Sequence, residues 1–270
     1  MKKLILSILL FLSGCVIKEP VAVAITDDIP DFTVYDGQLN PENYLAYSSE
    51  KIAWGIGPAK QENLQPQDCI DAQMKYQNYS SQFLISDQKE ILLTFDNGYE
   101  NGNTSSILDT LKKHDVHAIF FITSQYAREN ADLVQRMIDE GHTIGNHSWH
   151  HYSFPELSTE NLITEIMSLH NYMIEHFQYN MTAIRPPKGE FSERTLAICK
   201  DLGYTTYMWS YAYYDYNVND QPTEAEAFNK LVTNLHPGEI LLLHAVSSTN
   251  MNILDEFIDE TLNKGYTFVH

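Results

Sequence analysis

Ile91-Leu92-Leu93-Thr94-Phe95-Asp96 is an apolar, strand-forming run that closes on the pair Asn97-Gly98. Asn-Gly commonly connects the two strands of a hairpin, and a hairpin here would make the chain antiparallel. The residues that follow do not return as a strand, because Thr104 to His114 places its apolar side chains at helical spacing. A strand followed by a helix belongs to a βα unit, whose sheet is parallel. The same alternation runs to the C-terminus. Strands are expected at Ile91–Asp96, Ala118–Thr123, Thr143–His147, Ala183–Pro187, Thr205–Ser210, Glu239–Ala245 and Tyr266–Val269. Between them lie expected helices over residues 104–114, 126–140, 158–178, 192–202, 223–235 and 250–264. Gly141, Gly203, Gly238 and Gly265 each stand just before a strand, where a helix-to-strand turn favours positive φ. An alternating chain of this length fits either an open doubly wound sheet or a slightly short (β/α) barrel.

Outward from this block, residues 45–89 precede the alternation and are expected to pack on it as an N-terminal extension, with residues 90–270 as the main domain. Before them, residues 15–44 mix Asp27, Asp28, Pro30, Asp31, Pro41 and Glu42 with few periodic apolar residues, the pattern of a flexible tether. Lys2, Lys3, the apolar run Leu4–Leu12 and the string Leu12-Ser13-Gly14-Cys15 resemble a bacterial lipoprotein signal peptide over residues 1–14, with Cys15 as the lipidated residue. That reading places the protein on the outer face of a bacterial cytoplasmic membrane, touching it only through the N-terminal lipid anchor. The run Leu4–Leu12 is too short to span a bilayer, which takes roughly 20 residues.

The 270 residues carry 17 Lys+Arg against 36 Asp+Glu, a formal charge of −19. Loss of residues 1–14 removes two lysines and no acid, and moves this to −21. Such a balance excludes a nucleic-acid partner and a polybasic membrane face. Cys69 and Cys199 are expected as buried thiols, since neither lies beside a histidine or in a C-x-x-C spacing. A monomer is expected.

Polar residues gather where the strands end. They are Asp96-Asn97-Gly98; Gly145-Asn146-His147 with His150 and His151; Arg185-Pro186-Pro187; Trp209-Ser210 with Asp215; and Leu243-His244. In parallel α/β folds binding sites form at the C-terminal ends of strands, so these residues should converge on one rim. Singly each has an ordinary explanation, such as a surface arginine or a core histidine. Together they compose a hydrolase. A divalent cation on His147, His151 and the Asn97 side-chain oxygen would leave positions open for water and a carbonyl. Zinc is the first choice of metal, and cobalt or manganese suit the same donors. Asp96 would take the proton of the water, and Arg185 would keep Asp96 ionised. His244 would protonate the leaving amine, its ring oriented by Asp215.

These motifs, with Pro187-Lys188-Gly189 and Leu241-Leu242-Leu243-His244, are similar in order and spacing to the five motifs of the NodB-homology polysaccharide deacetylases. The resemblance covers about residues 90–270. It implies a distorted (β/α) barrel of about seven parallel strands and metal-dependent removal of acetyl groups from sugars. The family mostly carries a second aspartate where this chain has Asn97. The longer string Thr94-Phe95-Asp96-Asn97-Gly98-Tyr99-Glu100-Asn101-Gly102 resembles the branch of N-acetylmuramic acid deacetylases that lead to muramic δ-lactam in spore cortex peptidoglycan. Trp54-Gly55, the run Arg185 to Ser192 and His244-Ala245-Val246-Ser247 extend that likeness. The implied partner is the glycan strand of peptidoglycan. The muramic carboxylate, approaching an acidic protein, needs a local cation, which Lys188 or Arg185 could supply. Lys188, Trp209 and Tyr99 are the expected substrate contacts, and the tract Trp209, Tyr211, Tyr213, Tyr214 and Tyr216 is either a stacking platform for sugar rings or a packed strand edge. Two other readings compete: a deacetylase of N-acetylglucosamine or another acetylated polysaccharide, and a lipoprotein that binds cell-wall glycan without turning it over.

Overall fold

A computed structural model describes residues 39–56 and 64–270; the expected signal peptide, Cys15 and the tether to residue 38 lie outside the described residues. Pro41–Tyr44 forms a 3-10 turn started by Asn40, whose side chain accepts from the Glu42 N–H at 3.0 Å. The turn buries Tyr44, whose hydroxyl donates to Asp201 at 2.8 Å. The chain thus meets the domain a few residues before the expected tether ends.

Strand β1 (Ile52–Ala53) pairs antiparallel with Glu190–Phe191. Helix α1 (Gln67–Tyr76) and β2 (Ser81–Gln82) follow, and then β3 (Glu90–Asn97), the strand read first from sequence. Helix α2 (Thr104–Lys113) buries Thr104, Ile107, Leu108 and Leu111, a single stripe at helical spacing. After β4 (Ile119–Ile122) the expected helix over 126–140 is two helices, α3 (Ser124–Glu129) and α4 (Ala131–Asp139). Thr123 starts α3 two residues early by accepting from the Tyr126 N–H, and Asn130 (φ −130°, ψ 43°) leaves the helical region and splits the pair.

The next elements are β5 (Thr143–Asn146), α5 (Thr159–Phe177), β6 (Ala183–Ile184), β7 (Glu190–Phe191), α6 (Glu193–Asp201) and β8 (Thr205–Tyr207). β6 stops three residues short of expectation because Pro186 and Pro187 have no N–H to give the ladder. Then come β9 (Tyr211–Ala212), α7 (Glu224–Thr233), β10 (Glu239–His244), α8 (Ser248–Asn263) and β11 (Thr267–Val269). Gly141, Gly203, Gly238 and Gly265 all have positive φ, between 65° and 86°, as their turns require.

Nine strands form one sheet in the order β2-β8-β6-β5-β4-β3-β10-β9, with β11 beside the first half of β3. Every pairing in it is parallel. This is a distorted (β/α) barrel: the seven expected strands plus the short edge strands β2 and β9. Among the described residues no strand pairing joins β2 to β9. The connection between β8 and β9 bridges that gap, since Met208 N–H donates to Gln82 on the β2 side and Ser210 N–H to Ile240 on the β10 side, both at 2.9 Å. Trp209 sits between these two bonds.

Alternation in β3 divides the layers. Leu93 and Phe95 join the large core between sheet and helices, while Leu92 packs in the barrel with Ile119, Phe121, Ala183 and Ile240. Gly145 on β5 is required by this packing, because a Cβ there would lie 2.3 Å from the Phe121 ring. Cys69 and Cys199 are buried and unbridged, and burial pushes both thiols up to about 12.

Candidate active site

Parallel register sets the first pair of functional residues at one level. Asp96 on β3 stands opposite His244 on β10, each at the C-terminal end of its strand. On the other side of β3, the register through β4 brings in Asn146, the residue before His147. Asp96, His147, His151 and His244 all line one cleft of about 1030 Å³ at this rim.

Arg185 reaches into the barrel below the cleft and is fully buried. Its Nη1 donates to Asp96 Oδ1 at 2.7 Å and to Thr94 Oγ1 at 2.9 Å, and its Nε donates to the Tyr207 carbonyl at 3.0 Å. Burial pushes the Asp96 carboxyl up, but the Arg185 guanidinium, aided by His147 and His244, outweighs it and holds Asp96 below the ordinary carboxylate value. Arg185 is therefore spent on Asp96 and on backbone carbonyls, and its expected alternative use as partner of a substrate carboxylate does not hold.

His147 and His151 come from a turn, not from a helix as i, i+4 spacing can suggest. Ser148 (φ 71°) and His151 (φ 61°) adopt left-handed backbone, which such side chains rarely accept. Side-chain bonds hold them there: Ser148 N–H donates to Asn146 Oδ1 at 2.8 Å, and His151 N–H to Ser148 Oγ at 2.9 Å. The two Nε2 atoms face each other at 3.2 Å. His147 Nδ1 lies 2.9 Å from the Arg185 carbonyl, which can only accept, so its proton is on Nδ1 and its Nε2 offers a lone pair. Burial keeps both imidazoles neutral over the ordinary range, His151 being pushed down to about 4.

Two neutral imidazoles with converging Nε2 atoms, one pinned through Nδ1 by a carbonyl, are what a divalent cation requires of a histidine pair. Two nitrogens on one tetrahedral zinc ion lie roughly 3.3 Å apart. Among the described residues, no three His, Cys, Asp or Glu side chains form a cluster able to hold a metal ion. A third protein ligand has to be another kind of donor. Asn97 is fully buried, and neither oxygen nor nitrogen of its amide has a hydrogen-bond partner. The amide lies near the Tyr126 hydroxyl, which is bonded to Glu100 and Thr104. Asn97 does not itself line the cleft, whereas its neighbours Asp96 and Gly98 do. The histidine pair fits a bound divalent cation, and the buried amide of Asn97, next to Asp96 in the chain, is a candidate neutral donor.

His244 faces this group across the rim. Its Nδ1 lies 2.7 Å from Asp215 Oδ1, and its backbone N–H donates to Asp215 Oδ2 at 2.8 Å. Asn250 also donates to Oδ2, at 2.6 Å, and Asp215 is fully buried. Burial pulls the His244 imidazole down, but the Asp215 carboxylate, aided by Asp96, outweighs it and leaves the pKa above its ordinary value.

The expected substrate contacts divide. Tyr99, Lys188, Trp209, Tyr213 and Tyr216 line the cleft, whereas Tyr211 and Tyr214 do not. Trp209 packs against Gly189 (φ 66°), where a Cβ would come within 2.4 Å of the indole, and its carbonyl accepts from Trp54 Nε1 at 2.9 Å. Lys188 is exposed in the same turn. Sequence reasoning missed two features of the wall. His150, stacked on Tyr152, is held through Nδ1 by the buried Glu165 at 2.9 Å, and Arg128 lies over the Trp149 ring at 5.3 Å. Neither Glu165 nor Arg128 ends a strand, so the rim pattern gave no signal for them.

Comparison with known proteins bears on this arrangement. A family model described as polysaccharide deacetylase matches residues 85–207. The peptidoglycan-N-acetylmuramic acid deacetylase PdaA of Bacillus subtilis (strain 168) is 40% identical over 227 residues, 83% of this chain and 85% of that protein. The solved structure of Bacillus subtilis PdaA, a family 4 carbohydrate esterase, matches with a TM-score of 0.78 at 37% identity, over 82% of this chain and 95% of that one. The peptidoglycan-N-acetylglucosamine deacetylase PgdA of Listeria monocytogenes serotype 1/2a (strain 10403S) is 30% identical over 181 residues, 67% of this chain and 38% of that protein.

Proposed function

Since the chain belongs to the polysaccharide deacetylases, hydrolases of carbohydrate esterase family 4, we propose that it removes the acetyl group from N-acetylmuramic acid residues of peptidoglycan. The observation that carries the chemistry is the convergence of Asp96, His147, His151 and His244 on one cleft. The muramic sugar is favoured by the 40% identity to PdaA, against 30% to the peptidoglycan-N-acetylglucosamine deacetylase PgdA.

In this reading His147, His151 and the amide oxygen of Asn97 would hold one divalent cation, with zinc the first choice and cobalt or manganese alternatives. Such a cation would supply Lewis-acid polarisation of the acetyl carbonyl and acidify the attacking water. Asp96, ionised by Arg185, accepts the proton of that water through Oδ2, which no guanidinium nitrogen occupies. His244, kept protonated by Asp215, gives its Nε2 proton to the departing amine, and acetate leaves. Trp209 and Tyr216 border the space where the pyranose rings would lie. The freed amine can close on the lactyl carboxyl of the same sugar as a δ-lactam, with the carboxyl C–O bond broken and one water released. Lipidation at Cys15 would hold the enzyme on the outer membrane face, beside the glycan; the string Leu12-Ser13-Gly14-Cys15 supports this.

The test is acetate release from peptidoglycan stripped of its stem peptides by an amidase, with and without added divalent metal, followed by mass analysis of the muropeptides. Metal-dependent acetate with muramic residues lighter by one acetyl group is expected. Acetate only from the glucosamine residues would overturn the substrate, and glycan binding with no acetate under any metal would overturn the enzyme.

A further inference from the structure

The cleft is a cationic place in an acidic protein. Three ordinarily charged side chains line it besides the histidines, namely Asp96, Arg128 and Lys188. Arg185 neutralises Asp96 from below, so the two remaining cations set the sign of the walls. The sheet order fixes where they stand. Arg128 is on α3, directly after β4; Lys188 is in the turn after β6; β5, whose following turn carries His147 and His151, runs between. A cation flanks the histidine pair on either side.

The two cations differ in preparation. Arg128 Nε donates to the Ser124 carbonyl at 3.2 Å, and its guanidinium carbon lies over the Trp149 ring, 5.3 Å from the centre. Trp149 is itself fixed, its N–H donating to the Glu165 carbonyl at 3.2 Å and its own carbonyl accepting from Ser124 Oγ at 2.6 Å. Among the described residues, Arg128 Nη1 and Nη2 have no partner, and the adjacent Glu129 is occupied by Gln125 at 3.2 Å. The result is an exposed two-donor fork, tethered at Nε and lying over an aromatic ring at the edge of a reaction cleft, a donor set that matches a carboxylate. Lys188 offers a point charge on a flexible stem, two residues from Glu190.

We propose that Arg128 is the specificity-determining residue that recognises the carboxylate borne by the substrate sugar, with Trp149 as its platform. This rests on the muramic reading above. The lactyl ether on the carbon next to the acetamido group is what distinguishes muramic acid from glucosamine, and a carboxylate there lies close to the scissile amide. With the acetamido group at the histidine pair, the neighbouring substituent falls toward one flank of β5, and Arg128 is the flank built to receive an anion.

The experiment compares kcat/KM on peptide-free peptidoglycan glycan with the same glycan after its muramic carboxyl groups have been reduced to alcohols. The wild-type protein should prefer the charged glycan, and Arg128→Gln should lower that preference about tenfold, through KM. Arg128→Lys should restore part of it. The ratio of the two substrates cancels any loss from poor folding. An unchanged preference in Arg128→Gln, or a preference lost in Lys188→Gln instead, overturns the proposal while leaving the muramic deacetylase reading intact. Acetate released from an N-acetylglucosamine polymer but from neither muramic glycan overturns both.

Discussion

Asp96 and Asp215 are the same side chain in the same cleft region, both buried and both felt by His244, yet they are wired differently. Asp215 has no oxygen to spare: Oδ1 holds the His244 ring, and Oδ2 takes the His244 N–H and Asn250. Asp96 gives Oδ1 to Arg185 and turns Oδ2 toward His147, 3.6 Å away, on the open side of the cleft. A buried carboxylate becomes a base by keeping one oxygen free and a positioning group by keeping none. Arg185 is what permits the first arrangement, because it prevents burial from neutralising Asp96 without occupying both oxygens.

The largest effect tests that division directly. Asp96→Asn keeps an oxygen for Arg185 but removes both the base and the charge that balances the buried guanidinium, so acetate release should fall about a thousandfold and the thermal midpoint should fall with it. His244→Gln removes the proposed acid and should cost about a hundredfold in kcat. Its rate should also lose the decline at high pH. A loss in Asp96→Asn no larger than that in Asp215→Asn would break the distinction between base and positioning carboxylate.

Asp215→Asn should be milder and should act on pH. In the folded protein the His244 pKa is above 6.5, so as a proton donor it fails only when the pH passes that raised value. Without the carboxylate only burial and distant charges remain, and the high-pH limb of kcat should move down, with about a tenfold loss at neutral pH. The same linkage stabilises the fold. The His244–Asp215 pair contributes fully below pH 6.5 and is lost as the pH rises through the folded value, so the midpoint difference between wild type and Asp215→Asn should shrink with rising pH. A variant whose rate falls with an unmoved pH limb would assign Asp215 a packing role only.

The legible parts of this molecule were those with local signals. The strand at Ile91–Asp96, its helix and the turn glycines followed from periodicity and from the φ that such turns demand. The rim residues followed from a rule about strand ends, which is why Asp96, His147, Arg185 and His244 could be named together. What depends on long-range packing was not legible. The closure of the barrel by Met208–Ser210 depends on hydrogen bonds to Gln82 and Ile240, which are distant in sequence. The break at Asn130 is a backbone choice within a continuous helical pattern. Arg128 reached the cleft because α3 follows β4 and β4 adjoins β5, an order that sequence alone does not fix.

Asn97 offers the smallest and most discriminating contrast with the two aspartates. It lies beside Asp96, is fully buried, and leaves both amide atoms unpaired, a condition that costs stability unless something occupies them. As a metal ligand the amide would contribute no charge, so a cation on the histidine pair would keep its full polarising power at the expense of affinity. Asn97→Asp should reverse that balance, tightening metal binding about tenfold in a competitive chelator titration while lowering kcat severalfold at saturating metal. Asn97→Ala should weaken binding, with a readout in metal content independent of turnover. If Asn97→Asp bound metal no more tightly, the carboxylate would be too far from the histidine pair to act as a ligand, and the unpaired amide would be a strain carried for the packing of α3 alone.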